Sequence, residues 1–181
     1  HADIAAKILR SGGVIAYPTE GVFGLGCLPS EELAIKRILT IKNRDASKGL
    51  ILIANDAKQL DPWIKLPSNI SLPKPVDKYP VTWIVPYSAK ISKLVTGKNK
   101  GVAIRLTINP IVQSICSAVE SAVISTSANL SGQPTVKNQT ELKEKFADLV
   151  DYIVPGNCGP ALGPSEIRNL ITGQVLRHGT K

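Results

Sequence analysis

Hydroxyls and cations, rather than histidines or thiols, are what this chain offers to chemistry. Lys42, Arg44 and Lys48 crowd one charged segment, Lys42-Asn43-Arg44-Asp45-Ala46-Ser47-Lys48-Gly49. An arginine presents a planar fork to carboxylate or phosphate, and a lysine a compact charge. The end of a helix also favours cations with no ligand present, so the segment admits both readings. Ser125-Thr126-Ser127-Ala128-Asn129 follows an apolar run with three hydroxyls and an amide, groups suited to anionic oxygens, a ribose or a base. A Ser/Thr or Asx turn is the plainer alternative. Ser131-Gly132-Gln133-Pro134-Thr135 would extend the same wall. Thr19 and Glu20 sit where a β-branched run, Val14–Tyr17, meets Pro18, and Thr82, Arg105, Ser165 and Arg177 are single polar residues in or beside apolar strands. A buried arginine needs an anionic or polar partner, which Glu20 could be from within the chain.

What is missing narrows the chemistry further. His1 and His178 are the only histidines, one at each end, so a His-based metal site or a Ser-His-Asp hydrolase does not fit. Cys27, Cys116 and Cys158 are odd in number and lack C-x-x-C spacing, which argues against a disulfide framework or a zinc cluster and for a reducing cytoplasm. No residue is assigned to a metal. The phosphate-binding pattern G-x-x-x-x-G-K-[ST] is absent, and Gly24-x-Gly26 lacks the third glycine of the dinucleotide fingerprint. A nucleotide site here would have to be assembled from scattered hydroxyls and cations.

The elements that must position these groups read as an α/β fold. Helices are predicted over Asp3–Arg10 with Asp3 as cap, and after Ser30 as cap with Leu33, Ala34, Ile38, Leu39 and Ile41 on one face. Others are predicted from Asn55-Asp56 to Leu60, from Pro110 to Val119, and over Glu141–Leu149. Strands are predicted at Val14–Tyr17, Leu50–Ala54, Val81–Val85, Val102–Leu106, Ala122–Ile124 and Tyr152–Val154, with a hairpin of Ile167–Ile171 and Gln174–Arg177. Gly21, Gly24 and Gly26 are read as a tight loop that brings backbone N–H groups to a ligand. Residues 62–80 are Pro-rich and irregular, a surface connection rather than a domain boundary. Strands and helices alternate without strict order, so a twisted mixed sheet with flanking helices follows, in a single domain over residues 1–181. Hydrophobic residues at 43% and charged ones at 20% describe a globular chain, and no apolar run approaches the ~20 residues that span a bilayer. A net charge of +8 favours an anionic partner.

In chain order, Tyr17-Pro18-Thr19-Glu20 with Phe23-Gly24-Leu25-Gly26, Lys42-x-Arg44 with Lys48-Gly49-Leu50, Pro80-Val81-Thr82 and Ala103-Ile104-Arg105 form a set of short motifs. Ser125–Asn129 with Ser131-Gly132, Pro164-Ser165-Glu166-Ile167 and Leu176-Arg177-x-Gly179 complete it. Together they resemble the YrdC-type threonylcarbamoyl-adenylate synthases over essentially the whole chain. The resemblance implies an enzyme that makes L-threonylcarbamoyl-AMP and pyrophosphate from L-threonine, bicarbonate and ATP with Mg2+. It implies delivery to adenosine 37 of tRNAs reading codons that begin with A, through other enzymes of the tRNA threonylcarbamoyl pathway. It also implies a twisted sheet with a concave basic groove, without the extra C-terminal domain of longer members.

Carried onto this sequence, the resemblance puts Thr19, Thr82, Ser125 and Ser165 on the threonine side. It puts Lys42, Arg44, Lys48, Arg105, Ser127, Asn129, Thr135 and Arg177 on the nucleotide side or between the two, with Lys42, Arg44 and Lys48 as catalytic cations. Two positions depart from the family pattern. Asp45 stands where proline is frequent, and Tyr79 replaces a glycine before Pro-x-Thr, narrowing the approach to Thr82. The rival reading is a non-enzymatic module binding tRNA or double-stranded RNA through basic residues such as Lys98 and Lys100. Aromatic residues at 4% speak against stacking recognition.

Overall fold

The apolar runs of the sequence become the strands of one sheet. The computed structural model describes residues 1–75, 80–130, 132–160 and 165–179. Helices are α1 (Ala2–Arg10), α2 (Glu32–Lys42), α3 (Lys93–Thr96), α4 (Pro110–Val119) and α5 (Gln139–Phe146). Strands are β1 (Ile15–Pro18), β2 (Phe23–Cys27), β3 (Ile51–Ala54), β4 (Val81–Val85), β5 (Val102–Leu106), β6 (Val123–Ser127), β7 (Tyr152–Ile153), β8 (Glu166–Asn169) and β9 (Val175–Arg177). They lie in the order β7-β1-β2-β6-β3-β5-β4-β8-β9. The pairs β1–β7, β3–β5 and β4–β8 are parallel and the rest antiparallel, so the sheet is mixed, as predicted.

Side chains alternate between the two faces of each strand, and the alternation sorts the core into two layers. Ile15, Tyr17, Ile53 and Val123 pack under α1 and α4 with Leu9, Val112 and Ile115. Ala16, Leu25, Leu52, Ile104 and Ile124 face the opposite way, against Ile35 and Ile38 of α2 and Phe146 of α5. Helix α4 starts where the sequence places it: Asn109 accepts from the N–H groups of Ile111 and Val112, and Pro110 occupies the first turn.

Several boundaries differ from expectation. Gly24 and Gly26 are not a loop; they are strand residues of β2, paired with β1 and β6. They are small because a Cβ on Gly26 would lie 2.6 Å from the Ile124 carbonyl oxygen and 2.7 Å from the Tyr17 ring. Neither Asp3 nor Ser30 caps its helix: α1 follows His1 and α2 follows Glu31, both without a side-chain cap bond. Leu33 is 81% exposed, and Ile35 fills the buried stripe of α2 instead. The hydroxyl run does not end β6; the strand continues through Ser127 because β2 supplies ladder partners as far as that residue, while β3 pairs on the other side only up to Ser125. Helix α5 begins earlier than predicted, at Gln139, because the Asn138 side chain accepts from the Glu141 N–H at 2.9 Å.

Candidate functional site

The same alternation carries the chemistry to one face. On β6, Ser125 and Ser127 share the side of Val123; on β5, Arg105 shares the side of its partner Ile53. Helices α1 and α4 cover only part of that face. Beyond them opens a cleft of about 450 Å³ lined by Thr19, Glu20, Gly24, Arg44, Arg105, Ser125, Ser127, Thr135, Ser165 and Arg177, with Leu50 and Ile51 among the apolar contributors. A second hollow of about 560 Å³ adjoins it across Arg44, Leu50, Ile51 and Arg177, and Lys48, Asn99 and Lys100 line that one. The structure thus gathers eight of the twelve expected residues in the first cleft and puts Lys48, which is exposed, in the second.

The remaining three stand behind the lining. Thr82 is fully buried, its Oγ1 2.7 Å from Ser165 Oγ, so it touches the cleft through that serine. Lys42 is 5% exposed and does not line the cleft. Its ammonium donates to the Ser127 carbonyl at 2.6 Å and to Asn129 Oδ1 at 2.8 Å, and Ser127 Oγ donates to the same Oδ1 at 2.7 Å. Burial, helped by the nearby Arg44 charge, lowers its pKa to about 8. Lys42 and Asn129 together fix the end of β6.

Each lining residue is held by its own element. The backbone around Thr19 is pinned by Asn109 Nδ2 and the Gly159 N–H, which donate to its carbonyl at 2.9 and 2.8 Å. Its hydroxyl donates to the Val22 carbonyl at 2.5 Å. Arg44 reaches back to the Gly49 carbonyl through Nη2 at 3.1 Å, and partial burial lowers its pKa. Arg105 Nη1 approaches Ser165 Oγ at 3.5 Å, and Arg177 Nε donates to the Ser165 carbonyl at 3.0 Å. The expected pairing of Arg105 with Glu20 is present but loose, at 4.0 Å between Nε and Oε2. Among the described residues lining the cleft, Glu20 is the sole carboxylate, set against three arginines.

Asp45 disturbs the loop little. It N-caps the 3-10 turn Ala46–Lys48, accepting from the Ser47 N–H, and its φ of −66° is the value a proline would impose. That hydrogen bond, more than the nearby Lys98 and Lys48, holds its carboxyl below the usual range. Tyr79 and Ser131 lie outside the described residues. Sequence reasoning left Thr107 and Asn109 out of the site; the helix start at Pro110 was visible, but the reach of Asn109 to Thr19 joins residues 90 apart.

Comparison with known proteins bears on the chain as a whole. The family model Sua5_yciO_yrdC, described as "Telomere recombination", matches residues 7–179. A Vibrio vulnificus protein named threonylcarbamoyl-AMP synthase is 46% identical over 177 residues, which cover 96% of this chain and 95% of that protein. The crystal structure of P. abyssi Sua5 complexed with L-threonine superposes with a TM-score of 0.86 at 29% identity, covering 98% of this chain. The chain spans 54% of that longer protein. E. coli YciO superposes with a TM-score of 0.78 at 27% identity, covering 98% of this chain and 88% of its own.

Proposed function

The chain belongs to the Sua5–YciO–YrdC family, and from that premise we propose that it is an ATP-dependent L-threonylcarbamoyl-AMP synthase. The observation that carries the reading is the convergence of Thr19, Arg105, Ser125 and Ser165 with Arg44, Ser127 and Arg177 in one cleft. In this reading Thr19, Ser125 and Ser165, backed by Thr82, hold threonine. Arg44, Ser127, Thr135 and Arg177 face the nucleotide, with Lys48 at the phosphate end in the adjoining hollow and Arg105 between the two substrates. Lys42 and Asn129 act by holding Ser127. The two hollows together form the basic groove.

The reaction needs no enzyme nucleophile. Threonine's amine and bicarbonate form a carbamate, whose oxygen attacks the α-phosphorus of ATP and expels pyrophosphate. Attacking and leaving groups are both anionic, so arginines fixed by backbone carbonyls lower the barrier by alignment and charge neutralisation. Among the described residues no three His, Cys, Asp or Glu side chains cluster as a metal cage. Mg2+ in this reading arrives with ATP, its phosphates supplying most ligands, and neutralises phosphate charge. The product would pass to further enzymes that modify tRNA. Among the described residues no helix is long and apolar enough to cross a membrane, and Cys27, Cys116 and Cys158 are free, in keeping with a reducing cytoplasm.

The test is pyrophosphate release from ATP and Mg2+. Release that requires both threonine and bicarbonate is the expected result; none from folded protein would overturn the reading. Steep, salt-sensitive RNA binding without that release would favour the non-enzymatic alternative instead. Lys48→Ala should slow release about 10-fold or more while leaving stability within about 0.5 kcal/mol, since an exposed side chain contributes little to folding. An unchanged rate would remove Lys48 from the site.

A further inference from the structure

One buried carboxylate in the cleft is only half satisfied. Glu20 is 5% exposed, and its Oε2 accepts from Thr107 Oγ1 at 3.2 Å and from the Ile108 N–H at 3.3 Å. Among the described residues its Oε1 has no hydrogen-bond partner, and neither does Arg105 Nε, which lies 4.0 Å from the other carboxylate oxygen, Oε2. Buried polar atoms are almost always paired, and an unpaired one in a residue that lines a cleft calls for a partner, which a ligand's complementary atom would supply. Here the two orphans have opposite demands. Oε1 calls for a donor, best a cationic one, while the guanidinium calls for an anionic acceptor. An α-amino acid carries both on adjacent atoms. Thr107 and Ile108 anchor Oε2, which holds the other oxygen in a fixed direction.

The geometry points to Glu20 as the residue that receives the α-ammonium of the amino-acid substrate and takes up its proton. The assignment rests on the synthase reading above. An ammonium has no lone pair, so it must lose a proton before it can form a bond to carbon. That proton passes from nitrogen to Glu20 Oε1. The freed lone pair forms the N–C bond to bicarbonate, one C–O bond breaks, and the departing hydroxide takes a second proton from nitrogen to leave as water. The carbamate oxygen then forms its bond to the α-phosphorus as the bond to pyrophosphate breaks. Glu20 returns its proton to solvent once the product has left. A role confined to anchoring Thr107 and Ile108 would not distinguish an ammonium from a hydroxyl at the same position of the ligand.

The test is calorimetric titration of the whole chain with L-threonine and with the 2,3-dihydroxybutanoate that replaces its ammonium by hydroxyl at the same configuration. The unaltered protein should prefer threonine by about 10-fold or more, the scale of one charged hydrogen bond. Glu20→Gln presents an amide N–H₂ where Oε1 stood, and should weaken threonine about 10-fold or more while changing the dihydroxy acid by less than about 2-fold. Equal weakening of both ligands, or unchanged threonine affinity, would overturn the assignment. Should Glu20→Gln not fold, the comparison of ligands on the unaltered protein decides: equal affinities overturn the assignment, and Glu20→Asp should retain the preference. Absence of any threonine binding to the unaltered protein overturns the synthase reading itself and takes the Glu20 assignment with it.

Discussion

Lys42 and Arg44 are two residues apart, yet they work in different surroundings. Arg44 enters the cleft wall, whereas Lys42 turns under β6 and secures Ser127 and Asn129. Removing the ammonium leaves a buried carbonyl and amide oxygen without their charged donor, so Lys42→Met should lose about 1.5–3 kcal/mol. The loss depends on pH in a set direction. Because the folded-state pKa of Lys42 is about 8 against an ordinary 10.5, the unfolded chain binds more protons between those values. The Lys42 contribution to stability therefore rises with pH across that window and is smallest below it. Denaturant unfolding at pH 7.5 and pH 10 should show a wider gap between parent and Lys42→Met at the higher pH; a constant gap would deny the shift.

At the scale of elements, β1 and β2 form the hairpin on which the site depends, and its tightness is steric. The Tyr17 ring lies over Gly24 and Gly26, its hydroxyl donates to the Ile124 carbonyl at 3.2 Å, and burial pushes its pKa up. A methyl at Gly26 would meet the backbone of β6, which cannot yield without moving a central strand. A methyl at Gly24 meets Thr19, Tyr17 and Ser125 atoms at 3.3–3.4 Å, a pressure that side chains can absorb. Gly26→Ala should accordingly cost about 2–3 kcal/mol and Gly24→Ala about 1 kcal/mol or less. Gly24→Ala should weaken threonine binding more than its effect on unfolding implies, because its methyl projects beside Ser125 and Thr19. Equal unfolding midpoints for the two variants would refute the steric account.

Across the whole molecule, the cleft collects residues from both ends of the chain, from Thr19 to Arg177, over a sheet whose neighbours are mostly distant in sequence. A ligand held there ties those segments together and binds only the folded state. Threonine at about 100 times its Kd should therefore stabilise the protein by about 2.7 kcal/mol. For a chain of this size that is a rise in Tm of about 5–10 °C. A non-hydrolysable ATP analogue should add to that rise, since the two hollows adjoin across Arg44 and Arg177. Thermal unfolding with each ligand and with both is the measurement; no shift with either would count against a shared cleft.

Composition and local pattern alone determined much of this protein. The apolar runs became strands within a residue or two at β1, β3, β4 and β5, and Pro110 marked the start of α4. The hydroxyls after Ala122–Ile124 and the cations after α2 were visible as unusual chemistry, because residue type and neighbours suffice for that. Direction was not visible. A strand's alternation leaves open which face is buried, and that choice is made by partners far along the chain. So only the tertiary structure decided that Gly24 and Gly26 pass under Tyr17, that Lys42 turns inward while Arg44 does not, and that Glu20 meets Thr107 with one oxygen while the other has no partner among the described residues. Each of these depends on strand register, a property of pairs of segments that no single segment contains.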